Sequence, residues 1–444
     1  MKSKLSRRDF LRASLAAGAG LALSGVAACT PKATPTPQAG GAAGGGKVFL
    51  NYWTGWSGFE FDALQKLVDK FNTEHPNIFV NMTTVFGQYD KVLTAIAGGN
   101  PPDCVSAVWL HQLVSMAGRG GLMPVTEYAK KDGIDGKEYY PNVWDAWHWN
   151  NELWGLAVTV NASVHAYRRD IFKEVGLDPD KPPQLVPEMD AAAQKLEIIQ
   201  DGNIKRLGFV PGGLFEWGFV FGGGWYDEGK TKIIADDPKN VAALEWIASY
   251  YKRLGYEKVA AFRSGYGDYM SPQNPFFVGN EVIYGAGEWF ISFVNKFAPG
   301  LDYAFMAHPA PEGGRPNTTS FGGSVFTIPK GVAHPDASWE WMKWLSQPEN
   351  LGQFAYEIHN IPPKPAVANE SRFIDDPKFK FCVDLYTGKN VFGPPKMPVM
   401  DLYFTKISEA EDLVVRGQKD AATALADITK QVQTELDTAM KRTG

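Results

Sequence analysis

Apolar residues in this chain recur with two periods, and the switches between them predict its elements. Val48 to Trp53 is an apolar and aromatic run closed by the turn-prone Thr54-Gly55-Trp56-Ser57-Gly58, which reads as a strand and a loop. From Glu60 onward Leu64, Leu67, Val68 and Phe71 recur at helical spacing until Pro76 enforces a stop. Ile78 to Met82 reads as a second strand. Tyr89, Leu93 and Ile96 mark a second helix that ends in Gly98-Gly99-Asn100-Pro101-Pro102. Asp103 to Val108 then suits a buried parallel strand. This β-α-β-α-β alternation predicts an α/β lobe whose ligand contacts lie at the carboxyl ends of strands, in loops such as Trp53 to Ser57 and Trp109 to Gln112. At the far end, Leu425, Ile428, Val432 and Leu436 give a docked amphipathic helix.

The first 28 residues follow another pattern. A basic start is succeeded by a small-residue apolar run, Leu15 to Ala28, too short to span a bilayer comfortably, which reads as a signal peptide. Ser6-Arg7-Arg8-Asp9-Phe10-Leu11-Arg12 resembles the twin-arginine export motif, with an ordinary general-route signal as the alternative. Val26-Ala27-Ala28-Cys29 resembles a bacterial lipobox, which implies cleavage before Cys29 and lipidation of its thiol. Residues 29–46, rich in proline and then in glycine and alanine, offer no large apolar side chain to bury and read as a flexible tether. The expected place is outside the cytoplasm, with the body anchored to the cell membrane.

Composition narrows the function. A length of 444 residues favours two lobes, and 44% hydrophobic against 21% charged residues fits a folded, water-soluble body. The net charge of −5 includes +4 in the first 28 residues, so the remainder carries −9 and is a poor partner for nucleic acid. Of three cysteines, Cys29 belongs to the export segment, which leaves Cys104 and Cys382 as buried thiols or a disulfide pair. No CxxC, GxSxG, HExxH, GxGxxG or Walker-A pattern is present, so neither cofactor nor metal is expected. Gly222-Gly223-Gly224 lacks the lysine and hydroxyl that a phosphate loop requires.

Several segments, taken in order, resemble family 1 extracellular solute-binding proteins, the group that includes maltose-binding proteins. They are Gln88-Tyr89-Asp90-Lys91-Val92-Leu93 with Ile96 to Asp103, then Gly120-Gly121-Leu122-Met123-Pro124-Val125, then Tyr167 to Asp178 after Leu153-Trp154-Gly155-Leu156-Ala157. Gly279-Asn280-Glu281-Val282 with Gly287-Glu288-Trp289, and Gly322-Gly323-Ser324 leading to His334 through Trp341, continue the series. The resemblance implies a two-lobed periplasmic-binding-protein fold with a hinge and an interlobe ligand cleft. Lobe one would comprise 48–158 and 319–355, and lobe two 159–318 and 356–444. It further implies a monomeric, non-enzymatic lipoprotein that captures a mono- or oligosaccharide and delivers it to the permease subunits of an ABC importer.

Fourteen tryptophans sharpen the search for a site. Aromatic faces stack on the C–H faces of sugar rings, and carboxylates and amides answer the hydroxyls. Trp53, Trp56 and Trp217 fall at strand ends or glycine-flanked turns, and Trp109 and Trp289 match positions the family uses for stacking. The polar candidates are Gln88 and Tyr89 at a helix start, Gln112 after Trp109, Asn161 on the crossover strand, and Glu288, with Gly323 at the return turn. Asp401 occupies a region where maltose-binding relatives place an aromatic residue, a departure that weakens maltose itself as the ligand. Two rival functions remain open. One is a binder of a glycerophosphodiester, polyol or other non-sugar solute, where Arg168, Arg169 or Arg263 facing the cleft would favour a phosphorylated ligand; the other is a secreted glycan-cleaving enzyme, which a pair of facing carboxylates would suit.

Overall fold

The computed structural model describes residues 46–443; the export segment, Cys29 and all of the tether except Gly46 lie outside the described residues. In chain order the principal elements begin with β1 (Val48–Thr54), α1 (Gly58–Glu74), β2 (Ile78–Thr84), α2 (Tyr89–Ala97), β3 (Cys104–Trp109) and α3 (Leu110–Gly118). Then come β4 (Leu156–Ala157), β5 (Asn161–Arg168), α4 (Leu214–Val220), α5 (Pro238–Leu254), β6 (Ile283–Gly287), α6 (Phe290–Phe297) and β7 (Tyr303–Met306). The remainder are β8 (Thr319–Gly322), β9 (Ser324–Thr327), α7 (Pro335–Leu345), α8 (Pro348–Ile358), α9 (Pro377–Tyr386), β10 (Val391–Phe392), α10 (Met400–Val415) and α11 (Ala421–Thr443).

Two five-stranded sheets result. The first has the order β2-β1-β3-β9-β4, with β1 parallel to β2 and β3, and β9 antiparallel to β3. Its centre, β3, is buried from Cys104 to Val108, as a strand covered on both faces requires. Helix α1 turns Ala63, Leu64, Leu67, Val68 and Phe71 inward, where Phe71 meets the ring of Trp341 edge-on at 5.0 Å. The second sheet runs β6-β5-β8-β10, with β7 also paired to β5. Cys104 and Cys382 are free, fully buried thiols.

Three chain segments cross between the sheets. The first, Val158–Val160, joins β4 to β5. The second is the single residue Gly323 between β8 and β9. The third leaves α8 at Ile358 and leads towards α9, which packs on the second sheet. Because Phe321 pairs with Ala162 in the second sheet, the return to the first sheet comes at Gly323 and not at the expected residue 319. Helix α8 likewise runs to Ile358 against α1, past the expected boundary at 356.

Buried apolar side chains form two clusters. One runs from the first lobe through the crossings to Phe290, Phe293, Phe379 and Cys382 on one face of the second sheet. The other lies between the opposite face and α4, α5, α10 and α11.

Gly323 has a positive φ of +135°, and a Cβ there would press into the carbonyl oxygen of Thr159 and sit 3.0 Å from Cα of Val160. Gly323→Ala is therefore expected to cost about 1–3 kcal/mol through strain and overpacking, read as a lower urea midpoint. An unchanged midpoint would show that the crossings yield freely.

Candidate ligand-binding cleft

A cavity of about 310 Å³ opens between the lobes. From the first lobe come Gly55 and Trp56 in the loop after β1, Glu60 in the first turn of α1, and Phe86 after β2. Trp109, Leu110 and His111, where β3 passes into α3, complete that wall. All lie at the carboxyl ends of parallel strands, where helix starts and loops converge. The opposite wall is made by Phe215 and Glu216 at the start of α4, Tyr269, Trp289 and Phe293 around the start of α6, and Phe404 from α10. The crossings supply the floor, with Thr159, Asn161, Ser320, Gly323 and Asn360. The lobes touch on both flanks. Phe59 meets Phe293 edge-on at 5.0 Å, and His111 stacks on Phe404 at 4.6 Å.

The charges in this cavity are one-sided. Burial pushes Glu60 up to about 7, and no hydrogen bond or ion pair to it occurs among the described residues. Burial also raises Glu216, although its Oε1 accepts a hydrogen bond from the Ser320 hydroxyl at 3.0 Å. Burial pushes His111 down to about 4, so its ring is neutral at pH 7. Tyr269 is pushed up to about 12 by burial, with the charge of Glu60 adding to the effect. The buried Oδ1 of Asn360 has no hydrogen-bond partner among the described residues. Among the described residues no lysine or arginine lines the cavity. Lys296, on α6, is held over the rings of Phe59 and Phe297. Among the described residues no group of three or more His, Cys, Asp or Glu side chains is arranged to hold a metal ion.

Comparison with known proteins bears on this geometry. The family model for bacterial extracellular solute-binding proteins matches residues 66–380, which is more than half of the chain. The chain belongs to this family. A twin-arginine translocation signal model matches residues 4–24, and together with the family this marks an extracytoplasmic protein. Over 420 residues this solute-binding protein is 25% identical to the sn-glycerol-3-phosphate-binding periplasmic protein UgpB of Brucella abortus, covering 86% of this chain and 92% of that one. It is 20% identical over 327 residues to the arabinooligosaccharide-binding protein of Bacillus subtilis, covering 72% and 73% of the two chains. Among solved structures, CpMnBP1 with mannotriose bound superposes with a TM-score of 0.81 at 27% identity, covering 87% of this chain and all of that one. The two-lobed periplasmic sugar-binding fold is thereby shown.

Five of the residues expected at the site line the cavity of this solute-binding protein: Trp56, Trp109, Asn161, Trp289 and Gly323. The others lie elsewhere. Trp53 packs under the ammonium of Lys91, and Gln88 is exposed at the start of α2. The Tyr89 hydroxyl is buried without a partner. Gln112 caps α3 by accepting the Trp109 N–H at 3.0 Å. Trp217 is interior, donating its indole N–H to the carbonyl of Gly212 and stacking edge-on with Trp246 at 4.5 Å. The Asp401 carboxylate is engaged by Arg119 at 2.9 Å. Arg168, Arg169 and Arg263 pair with Asp170, Asp302 and Glu281, away from the cavity.

Glu288 has a structural place. Wholly buried, it accepts the N–H of Ala162 at 2.9 Å and that of Ile361 at 3.2 Å, which joins the start of β5 to the third crossing. Sequence reasoning passed over Glu60, His111, Glu216, Tyr269 and Asn360. The available signal was adjacency, since Glu216 precedes Trp217 and His111 lies between Trp109 and Gln112.

Burial holds Glu288 up to about 8 against an ordinary 4.5. Between these values the folded chain binds more protons than the unfolded one, so stability is greatest at low pH and falls as pH rises. Glu60 acts with the same sign. In urea melts from about pH 5 to about pH 8, Glu288→Gln is expected to flatten the decline seen in the parent. Equal slopes would remove Glu288 as its source.

Proposed function

We propose that this protein captures a carbohydrate between its lobes and presents it to the permease of an ABC importer. The observation that carries the reading is the cavity wall, where Trp56, Trp109, Tyr269 and Trp289 stand beside the carboxyl groups of Glu60 and Glu216 and the amides of Asn161 and Asn360. Such walls pair ring faces with hydroxyl partners. CpMnBP1, whose likeness spans most of this chain, holds mannotriose. The Brucella relative is named for a phosphorylated ligand, but a cavity lined by two carboxyl groups and, among the described residues, by no lysine or arginine is ill matched to phosphate.

Capture follows from differential affinity. Ligand hydroxyls satisfy groups on both walls at once, so the closed form gains contacts that an open form lacks, and the crossings act as the hinge. No bond is made or broken in this reading. The body acts as a monomer, tethered outside the cytoplasm to the cell membrane by lipid on Cys29.

A thermal-shift screen against mono- and oligosaccharides, polyols and glycerophosphodiesters, with product analysis of every hit, tests this. A ligand bound only by the folded form raises the melting temperature, and an intact saccharide is the expected hit. Shifts confined to phosphodiesters, or a cleaved glycan, would replace the reading. Trp109, 41% exposed, is the aromatic platform whose loss least disturbs the core. Trp109→Ala is expected to weaken saccharide binding about 10- to 100-fold, measured by calorimetry, with the melting temperature of the empty protein little changed.

A further inference from the structure

The cleft presents two carboxyl groups and, among the described residues, no lysine or arginine to match them. Glu60 is 9% exposed and reaches the cavity from the first lobe with no partner among the described residues. Glu216 reaches the same cavity from the second lobe, with one oxygen held by Ser320. A third acceptor is independent of both. Asn360, 8% exposed and set in the floor, has its Oδ1 buried with no hydrogen-bond partner among the described residues. The His111 imidazole in the wall is neutral at pH 7, and two further carboxylates, Asp401 and Glu411, are occupied. Asp401 is paired with Arg119, and Glu411 accepts the N–H groups of Gly213 and Leu214.

A buried carboxylate without a partner is expensive, and a neutral hydroxyl satisfies its hydrogen bonding without compensating its charge. An ammonium group does both. It offers three donors and a positive charge, and the faces of Trp56, Trp109 and Trp289 stabilise a cation close to them. A saccharide bearing a free amine therefore answers the cavity more completely than one bearing hydroxyls alone.

Resting on the carbohydrate reading above, we infer that the preferred ligand is a cationic amino sugar, free or within a short oligosaccharide, whose ammonium group is held by Glu60 and Glu216 between the aromatic faces. Binding would then hold Glu60 ionised, and since burial in the empty cleft pushes it up to about 7, capture at pH 7 releases the proton from the roughly one half of molecules that still carry it there.

The test is calorimetry on the full-length protein at pH 7 with matched pairs of sugars that differ only in amine against hydroxyl. Glucosamine and glucose, galactosamine and galactose, mannosamine and mannose, and the β-1,4-linked dimers of the first pair serve as probes. In at least one pair the amine is expected to bind about tenfold or more tightly than its hydroxyl twin, as an added charge pair in a dry aromatic site implies. The measured heat of the amine should vary between buffers of different ionisation enthalpy in the sense of proton release. Glu60→Gln and, separately, Glu216→Gln should each erase the roughly tenfold advantage of the amine over its hydroxyl twin, whatever loss the two sugars share. Hydroxyl twins that bind as tightly as the amines in every pair would overturn the cationic ligand and leave the carbohydrate reading standing. Binding by no sugar of any kind would overturn both.

Discussion

Two backbone N–H groups, that of Ala162 at the start of β5 and that of Ile361 in the third crossing, converge on the carboxyl group of Glu288, which is shut away from water. Leaving either N–H unpaired in that interior would cost more than an ordinary surface hydrogen bond contributes. The same region carries Val160 N–H to the carbonyl of Ile361 at 3.0 Å and Val158 N–H to the carbonyl of Ser324 at 2.9 Å. The three crossings are thereby knitted into one ribbon. The position of each wall relative to the other follows from that ribbon, and so does the cavity between them.

Much of the first lobe was legible in the sequence. The apolar period that changes at Pro76 and again at the Gly98–Pro102 turn has clear boundaries, and strands and helices occur where those changes fall. Local pattern suffices there because each element buries one face against its immediate neighbours in the chain. The exact lobe boundary was less accessible. Thr319–Gly322 is a short, mostly buried segment of sequence Thr-Ser-Phe-Gly that would suit either sheet, and only its pairing with β5, at the far end of a long insertion, decides.

The site itself was readable as a set of loops more than as a set of side chains. Trp56 and Trp109 lie at strand ends and their orientation follows from that position. Trp217 and Glu216 are neighbours on one short helix, and a rotation of about 100° between successive residues puts Glu216 at the cavity and Trp217 in the core. Glu288 was expected to meet ligand because it precedes Trp289. Its side chain instead points to the crossings, a direction that depends on contacts with Ala162 and Ile361, more than seventy residues away in each case. Asp401 is similar, since Arg119 reaches it from the other lobe. Long-range partners of this kind leave no periodic trace.

The larger apolar cluster does not stop where the first sheet stops. It continues past the crossings and includes Phe290, Phe293 and Phe379, which cover one face of the second sheet. The two lobes therefore share a stretch of interior, and neither can lose its order while leaving the other fully covered. Heat should take the folded body apart in a single cooperative transition, even though its architecture has two centres. Fragments cut at the crossings would each expose an apolar face and would be prone to aggregate.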